Sequence, residues 1–452
     1  MLPIVTPDEM RAIDAQAPVA SEVLIGRAGA AVARAAVRMM GGTYGRTVVV
    51  IAGKGNNGAD GRVAAQLLSA RGVRVRIEDA AEPPQRIVDV DLVIDAAYGT
   101  GFRGEWSPPF VGDIQVLAVD IPTGIDALSG EVHGSVLAAT RTVTFAALKP
   151  GLLVPPGSEL AGELELADIG LDVSQANAYL VQQRDVAEWW PVRHATAHKW
   201  RNALRVVAGS PTMNGAAALV TQAAMRTGAG MVHLSVPGQV VADAPLEVVQ
   251  RALPAAGWSA AALASLDRFR AVVVGPGLGR DDDTAAQART FSIESPLPIV
   301  IDGDGLFALA WNADGAAALL QQRTAPTVLT PHDGEFALLT GAAPGHDRLV
   351  AARRLAADTG CVVLLKGPAT VVADPRGRTL VVTTGDPRLA TAGTGDVLAG
   401  IIGALLAADV PALEAAAAAA WVHGQAARRA PATGMIASDL PDFIPAVVEA
   451  FG

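Results

Sequence analysis

The segment Ala392-Gly-Thr-Gly-Asp396-Val-Leu-Ala-Gly400 carries the clearest chemical signal in this chain. Small residues precede a carboxylate, and the carboxylate begins a long apolar helix. At such a helix start the N–H groups of Thr394, Gly395 and Asp396 can form an anion hole, with the Asp396 side chain facing the same point. Phosphoryl transfer to a hydroxyl needs both features: donors for the moving phosphate and a base for the attacking oxygen. The plainer use of Asp396 is as a helix N-cap.

A second candidate lies in the first half. Gly53-Lys-Gly-Asn-Asn-Gly58 follows the apolar run Val48–Ala52 and opens a helix, as in the dinucleotide pattern G-x-G-x-x-G. Glu78 and Asp79 lie about 20 residues on, where a ribose-binding acid would stand. A glycine-rich turn can also serve geometry alone. Asn56–Gly61, however, adds two amides and the Asp60 carboxylate, which are oxygen ligands for a hard cation or for ribose hydroxyls.

Other polar turns follow apolar runs in the same manner. In the first half they are Asp95–Gly101, Asp120–Asp126 and Thr144–Gly151. In the second half they are Gly275–Gly279, Thr330-Pro-His332-Asp-Gly-Glu335 and Lys366-Gly-Pro-Ala-Thr370, with Lys366 able to reach a nucleotide phosphate. Gly215-Ala216 opens a helix packed tightly enough to admit a ligand. Asp302 and Asp304 read as turn caps. Each aspartate taken singly fits a cap or turn; gathered at strand ends, they form the constellation that ligands occupy in an open α/β sheet.

The elements that must hold these turns alternate between strand and helix. Helical patterns at Glu22–Met40 and Arg62–Arg71 alternate with apolar strands at Val48–Ala52, Val73–Ile77, Leu92–Ala96 and Val116–Ile121. Continuous apolar strands of this kind predict a parallel sheet covered on both faces. The rhythm restarts at Arg205–Ala208 and runs through a hairpin, Thr370–Ala373 with Thr379–Thr383, to two long helices near Asp396–Ala408 and Ala412–Arg429. The expected organisation is two tandem α/β domains, residues 1–180 and 196–452, joined by a linker at 181–195.

Composition narrows the partners. Against 45 acidic residues stand 35 basic ones, a net charge of −10, which argues against nucleic acid or an anionic membrane held by bulk charge. Cys361 is the only cysteine, so disulfides and cysteine-based zinc or iron–sulfur sites are excluded. The longest apolar stretch, Val397–Ala408, is too short to span a bilayer. Met1–Met10 has no basic targeting region, so a soluble cytoplasmic protein is expected. Only four basic residues are lysines, Lys54, Lys149, Lys199 and Lys366, while 31 are arginines. A chain that otherwise chooses arginine marks these four as places where a compact ammonium is needed.

The motifs in combination resemble a known pair of families. G-K-G-N-N-G-A-D-G within Val48–Leu68, D-A-A-Y-G-T-G, V-D-I-P-T-G, T-F-A-A-L-K-P-G and Leu24–Gly29 resemble the NAD(P)H-hydrate epimerases over most of residues 1–170. This implies a Rossmann-like three-layer α/β/α domain. It also implies hydrate contacts at Asn56, Asn57, Gly58, Ala59, Asp60, Gly99, Thr100, Gly101, Phe102, Arg103, Gly104 and Glu105. Asp120 becomes the candidate acid/base, and K+ would be held by Asn57, Asp95 and Thr123. Ala59 stands where the family usually has glycine, and Thr123 where it has serine.

His198-Lys199, Gly275–Gly279, Thr330–Glu335, Lys366–Thr370, Leu389–Gly400, His423-Gly424 and Ala437–Leu440 are similar to the ribokinase-like, ADP- or ATP-dependent NAD(P)H-hydrate dehydratases over roughly 195–450. This resemblance implies hydrate contacts at Ala216, Gly277, His332 and the catalytic Asp396. Nucleotide contacts fall at Lys366, Gly367, Pro368, Ala369, Thr370, Gly393, Thr394 and Gly395, and Mg2+ is expected from the nucleotide chemistry. Thr394 replaces the usual serine, and Gly303 and Gly305 replace alanines. Together the two resemblances imply repair of NADH-hydrate and NADPH-hydrate by a homo-oligomer. The alternatives are a ribokinase-class small-molecule kinase with a non-catalytic first half, and an NAD-dependent oxidoreductase built on Gly53–Gly58.

Overall fold

A computed structural model describes residues 1–451 apart from 194, 242–243 and 313–314. The chain divides into two compact units, Leu2–Ala178 and the residues from Tyr179 onward with Met1. The first unit contains, in order, β1 (Leu2–Ile4), α1 (Pro7–Ala15), α2 (Ser21–Met40), β2 (Thr47–Ala52), α3 (Asn56–Ser69), β3 (Arg74–Asp79), β4 (Leu92–Ala96), β5 (Val116–Val119), β6 (Arg141–Phe145), α4 (Gly157–Leu160) and β7 (Glu163–Ala167).

Its sheet runs β3-β2-β4-β5-β6-β7 and is parallel throughout. β4 and β5 are buried along their whole length, as apolar parallel strands covered on both faces must be. The strand order reverses between β2 and β4, which opens a crevice at their carboxyl ends. One boundary differs from the sequence expectation. α3 begins at Asn56, so Asn56–Asp60 form its first turns, and the loop is confined to Gly53–Gly55.

The second unit carries β8 (Ala178–Leu180), α5 (Gln183–Trp189), β9 (Ala203–Val207), α6 (Asn214–Thr227), β10 (Met231–Ser235), β11 (Val249–Gln250), α7 (Ser259–Leu263), β12 (Ala271–Val274), α8 (Asp282–Glu294), β13 (Ile299–Ile301), α9 (Asp304–Ala310), α10 (Gly315–Leu320), β14 (Thr327–Leu329), α11 (Asp333–Thr340), α12 (Arg348–Thr359), β15 (Val362–Leu365), β16 (Thr370–Ala373), β17 (Thr379–Val382), α13 (Thr394–Ala407), α14 (Ala412–Arg429) and α15 (Leu440–Glu449). Its strands follow the order β8-β17-β16-β15-β14-β13-β12-β9-β10-β11.

β11 through β15, including β9, pair in parallel, and β15–β16–β17 are antiparallel. The expected hairpin is therefore present, its turn closed by the Asp374 carboxylate accepting from Arg376 N and Arg378 N. The order reverses at β9 and β12, placing the second crevice beside Gly209 and Gly275. α13 packs into α6 and β12 through its glycines: a Cβ on Gly400 would lie 2.3 Å from Val220 O, and one on Gly403 would lie 2.4 Å from Val273 Cγ2.

Residues 181–195, expected as a linker, instead hold α5. A capping box between Gln182 and Asp185 starts this helix, and its Val186 is buried in the second unit's core beside α14. Sequence polarity at Gln175–Trp190 hid one buried stripe in a short amphipathic helix. No helix among the described residues is long and apolar enough to cross a membrane.

Candidate active sites

In the first unit the β2–α3 turn is shaped by close approach. A Cβ on Gly53 would lie 1.9 Å from Ala97 O, and one on Gly58 would lie 1.9 Å from Gly53 O. No larger residue fits either place without moving backbone. The helix has no side-chain cap, so the N–H groups of its first residues lack intrahelical acceptors and favour an anion. Ala59 sits inside that first turn, its N–H bonded to Gly55 O at 3.0 Å, and alanine suits the helical backbone there.

Asn57 has both amide atoms, Oδ1 and Nδ2, buried and without a partner. Gly99 packs beside it, since a Cβ there would meet Asn57 Cγ at 3.4 Å. Asp95, fully buried at the end of β4, accepts from Thr123 Oγ1 at 2.8 Å, Thr123 N at 2.9 Å and Ala97 N at 3.2 Å. Burial pushes the Asp95 carboxyl above its ordinary pKa despite these bonds. Thr123 Oγ1 also accepts from Tyr98 N at 3.0 Å, so β4 and the β5 loop are tied at one point.

Asp120 directly follows β5, which stops at Val119 and not at Ile121 as expected. It stands in the left-handed backbone region, φ 66°, a conformation non-glycine residues rarely hold. Its Oδ1 receives Lys149 Nζ at 2.6 Å and Thr144 Oγ1 at 3.1 Å. Lys149 Nζ donates further to Thr144 Oγ1 at 2.9 Å and Phe145 O at 3.2 Å. Three acceptors converge on a buried ammonium that has three donors. Asp60, nearly buried, is pushed up to about 8 by burial and then by the charge of Asp120, so it holds its proton at neutral pH. In the Gly99–Glu105 loop, Phe102 stacks on Tyr98 at 4.5 Å, and Arg103, Gly104 and Glu105 face solvent.

In the second unit Gly393, φ 91°, is the N-cap of α13, and Asp396 sits three residues in. The N-cap role considered for Asp396 is therefore taken by glycine. The expected anion hole is narrower than its sequence suggests. Thr394 N donates to Thr391 O at 3.3 Å and Asp396 N to Gly393 O at 3.1 Å, which leaves the Gly395 N–H without an acceptor among the described residues. Thr394 Oγ1 is likewise spent on Leu389 O and Thr391 O, at 2.7 and 2.9 Å. The tight turn before α13 closes these groups onto loop carbonyls.

Asp396 is pushed up to about 7. Burial is the chief cause, followed by the charge of Asp302; Lys366 works against both, while Asp304 and Glu335 add to the rise. Lys366 Nζ donates to Asp302 Oδ1 at 2.7 Å and lies 4.0 Å from Glu335 Oε2. Burial would lower the Lys366 pKa, but Asp302, Glu335 and Asp396 together hold it above the ordinary lysine value. Gly395 lies directly on this pair, because a Cβ there would sit 3.3 Å from Lys366 Nζ and 3.8 Å from Asp302 Oδ2. Asp302, read as a turn cap, is thus an ion-pair partner at the site. Asp304 does cap a turn, accepting from Gly279 N at 2.9 Å and Arg280 Nε at 2.7 Å.

The remaining expected contacts divide between crevice and scaffold. Gly277, φ 64°, packs against Ala216: a Cβ on it would lie 2.8 Å from Ala216 Cβ. His332 caps α11, its Nδ1 accepting from Gly334 N at 3.0 Å and Glu335 N at 3.2 Å. Its side chain is 60% exposed, which leaves Nε2 accessible. Gly367 is braced by Arg348, whose Nη2 donates to Lys366 O at 2.6 Å. Ala369 is buried and Thr370 opens β16.

Three site residues were given no such part from sequence: Lys149, Asp302 and His423. Scarcity of lysine was the signal for the first. His423 is buried with Nε2 unpartnered, and burial, with a backbone hydrogen bond at Thr394 opposing it, takes its pKa down to about 4. His423-Gly424 is one of the segments that carry the family resemblance, but sequence alone assigned it no role, and only the fold sets it beside the Asp396 turn.

Comparison with known proteins finds relatives of both units. The family of NAD(P)H-hydrate dehydratases matches residues 204–447, and the YjeF-related protein N-terminus family matches residues 21–86 and 77–151. The bifunctional NAD(P)H-hydrate repair enzyme Nnr of Mycobacterium leprae is 40% identical over 438 residues, covering 90% of this chain and 89% of that one. The Escherichia coli K12 protein of the same name is 34% identical over 439 residues, covering 87% and 83%.

Among solved structures, the ADP/ATP-dependent NAD(P)H-hydrate dehydratase of Bacillus subtilis, co-crystallised with ATP and Mg2+, gives a TM-score of 0.53 at 32% identity. It covers 60% of this chain and 98% of its own. A ribokinase-like superfamily protein of Enterococcus faecalis, at 22% identity and a TM-score of 0.54, shares the fold of the second unit.

Fold and sites therefore define a two-domain α/β enzyme, a Rossmann-like unit followed by a ribokinase-like one. The chain belongs to the bifunctional NAD(P)H-hydrate repair enzymes. Its first half is the epimerase that interconverts R and S hydrates, and its second half is the dehydratase that restores NAD(P)H. The glycine turn Gly53–Gly58, which alone also fits a hydride-transfer enzyme, is part of the epimerase half.

Proposed function

We propose that the second unit dehydrates S-NADH-hydrate and S-NADPH-hydrate by phosphorylation, with ADP or ATP as donor. Asp396 takes the proton from the hydrate hydroxyl as that oxygen attacks the terminal phosphorus, and the shortened nucleotide departs. Loss of phosphate from the ring carbon together with a proton from the neighbouring carbon then restores the dihydropyridine. The Gly395 N–H and Lys366 stabilise charge on the transferring group, and Asp302 positions Lys366. Ala216, Gly277 and His332 Nε2 border the hydrate. Mg2+ is proposed to be held chiefly by the nucleotide phosphate oxygens and water, as that ion binds with one or two protein carboxylates at most.

In the first unit Asp60 protonates the departing hydroxyl, which leaves as water from one face of the ring. Asp120 accepts the proton of the water that adds to the other face, with Lys149 and Thr144 orienting its carboxylate. The unpartnered buried amide of Asn57 and the buried Asp95 fit a cation. K+ held by Asn57, Asp95 and Thr123 would supply fixed positive charge at this strand edge.

The observation that carries the phosphorylation reading is Asp396 on the first turn of α13, against the Lys366–Asp302 pair. The test incubates chemically hydrated NADH, both epimers present, with protein, Mg2+ and ADP or ATP. Recovery of dihydronicotinamide absorbance with release of inorganic phosphate is expected, continuing past half of the hydrate at a rate above spontaneous epimerisation. No recovery with either nucleotide rules the reading out. A stable phosphorylated product would favour a simple kinase.

A further inference from the structure

Outside both crevices the second unit buries one guanidinium, that of Arg205, beside His233, and among the described residues no acid balances it. β9 and β10 pair in parallel with Arg205 beside His233 and Val207 beside Ser235. Leu204, Val206, Val232 and Leu234 face the core, so alternation sends Arg205, His233 and Ser235 to the opposite face. Arg205 is 1% exposed, and its Nη2 donates to Ser235 Oγ at 2.8 Å. Its Nε and Nη1 are buried with no acceptor. Ser235 Oγ donates in turn to Arg251 O.

The surroundings add positive charge rather than removing it. Arg251 acts on Arg205, and Arg205, Arg251 and Arg268 all act on His233. Arg268 lies 3.7 Å from the Trp200 ring centroid, and Arg205 Cζ lies 5.8 Å from that of Phe269. Such rings accept part of a cation's charge but leave Nε–H and Nη1–H unbonded. Among the described residues no carboxylate makes an ion pair with Arg205, Arg251 or Arg268. A buried guanidinium left in this state is costly, and it stays charged at neutral pH.

The geometry points to a phosphate-binding site formed by the Arg205 guanidinium, which Ser235 orients, with Arg251 at its rim, distinct from the Asp396 crevice. Arg205 offers three free N–H groups to oxyanion oxygens, and exposed Arg251 at the rim adds a second charge. A phosphate dianion, free or as a phosphomonoester, matches two arginines that have no acid partner among the described residues.

The test titrates the intact protein with inorganic phosphate at constant ionic strength and follows thermal unfolding. The nucleotide crevice is kept saturated with a non-hydrolysable ATP analogue. Phosphate is expected to raise the Tm of wild type in a saturable way, whereas chloride and acetate leave it unchanged. Arg251→Ala weakens the phosphate midpoint at least about tenfold, as loss of a charged hydrogen bond requires. Arg205→Met removes the response and raises Tm in phosphate-free buffer, because an unpaired buried charge has gone. AMP in place of phosphate reports whether a phosphomonoester serves as well as the free ion.

An equal response in wild type and Arg251→Ala overturns the proposal, whether or not Arg205→Met folds. So does a response that vanishes when the nucleotide analogue is bound. An acetate response matching that of phosphate would also overturn it, in favour of a carboxylate.

Discussion

The Lys149 ammonium lies 2.6 Å from the Asp120 carboxylate, in a pocket where it is also hydrogen-bonded to Thr144 and Phe145. The second unit repeats the device with Lys366 and Asp302 at 2.7 Å. In each crevice a compact cation fixes a carboxylate at a strand end.

Removing one partner of such a buried pair leaves the other uncompensated, at a cost of about 3–5 kcal/mol. Lys149→Met should therefore lower the stability of the first unit by that order, measured by urea unfolding, and abolish epimerisation while dehydration of the S hydrate persists. Lys149→Arg should fail to rescue epimerisation, since a planar fork cannot meet three convergent acceptors. A fully active arginine variant would refute the need for an ammonium.

Asp396 must be ionised to accept a proton, and its pKa is near 7. The dehydration rate should rise with pH through about 7 and level above it. Asp396→Asn should reduce nucleotide-dependent recovery of NADH by more than about a hundredfold, leaving R/S interconversion intact. Loss of both activities would mean that the substitution damages more than this site.

Asp60 works in the opposite sense. As a proton donor with a pKa near 8, it should give an epimerisation rate that falls above pH 8. Stability follows from the same shift. Between pH 3.8 and about 8 the unfolded chain has lost the Asp60 proton and the folded one retains it, so stability declines as pH rises through that window. Unfolding measured across this range should show a shallower decline for Asp60→Asn. Identical slopes would contradict the buried, protonated carboxyl.

Gly58→Ala places a methyl group 1.9 Å from Gly53 O, and only backbone movement can relieve it. Overpacking of this kind costs about 1–3 kcal/mol, and the displaced turn should abolish epimerisation. Thermal unfolding and an epimer-resolved assay report the two effects. Ala59→Gly, inside the same helical turn, should cost no more than about 1 kcal/mol, the ordinary penalty for glycine in a helix.

Exchange of K+ for a bulky organic cation should slow epimerisation but not dehydration. Asn57→Leu should remove the K+ dependence together with most of the rate. Equal epimerisation in both salts would count against a cation at Asn57, Asp95 and Thr123.

Much of this protein is written locally. Apolar strands such as Leu92–Ala96 cannot be solvated on either face, so the parallel sheets follow from sequence. The glycine turns follow as well, because Gly53 and Gly58 stand where no Cβ fits. Asp396 at the start of α13 and the four isolated lysines were visible as residue types before any contact was known. Partnership across the fold was not. Asp302 and Lys366 are 64 residues apart, and only the ends of β13 and β15, on either side of β14, bring them to 2.7 Å. The same is true of Asp120 with Lys149, of the upward shifts at Asp60 and Asp396, and of Arg205, whose place in a strand gives no hint that its guanidinium is buried unpaired. Hydrophobic pattern and backbone sterics act between near neighbours and can be read along the chain. Desolvation and charge pairing depend on what the folded sheet brings within a few ångströms, and tertiary structure alone decides that.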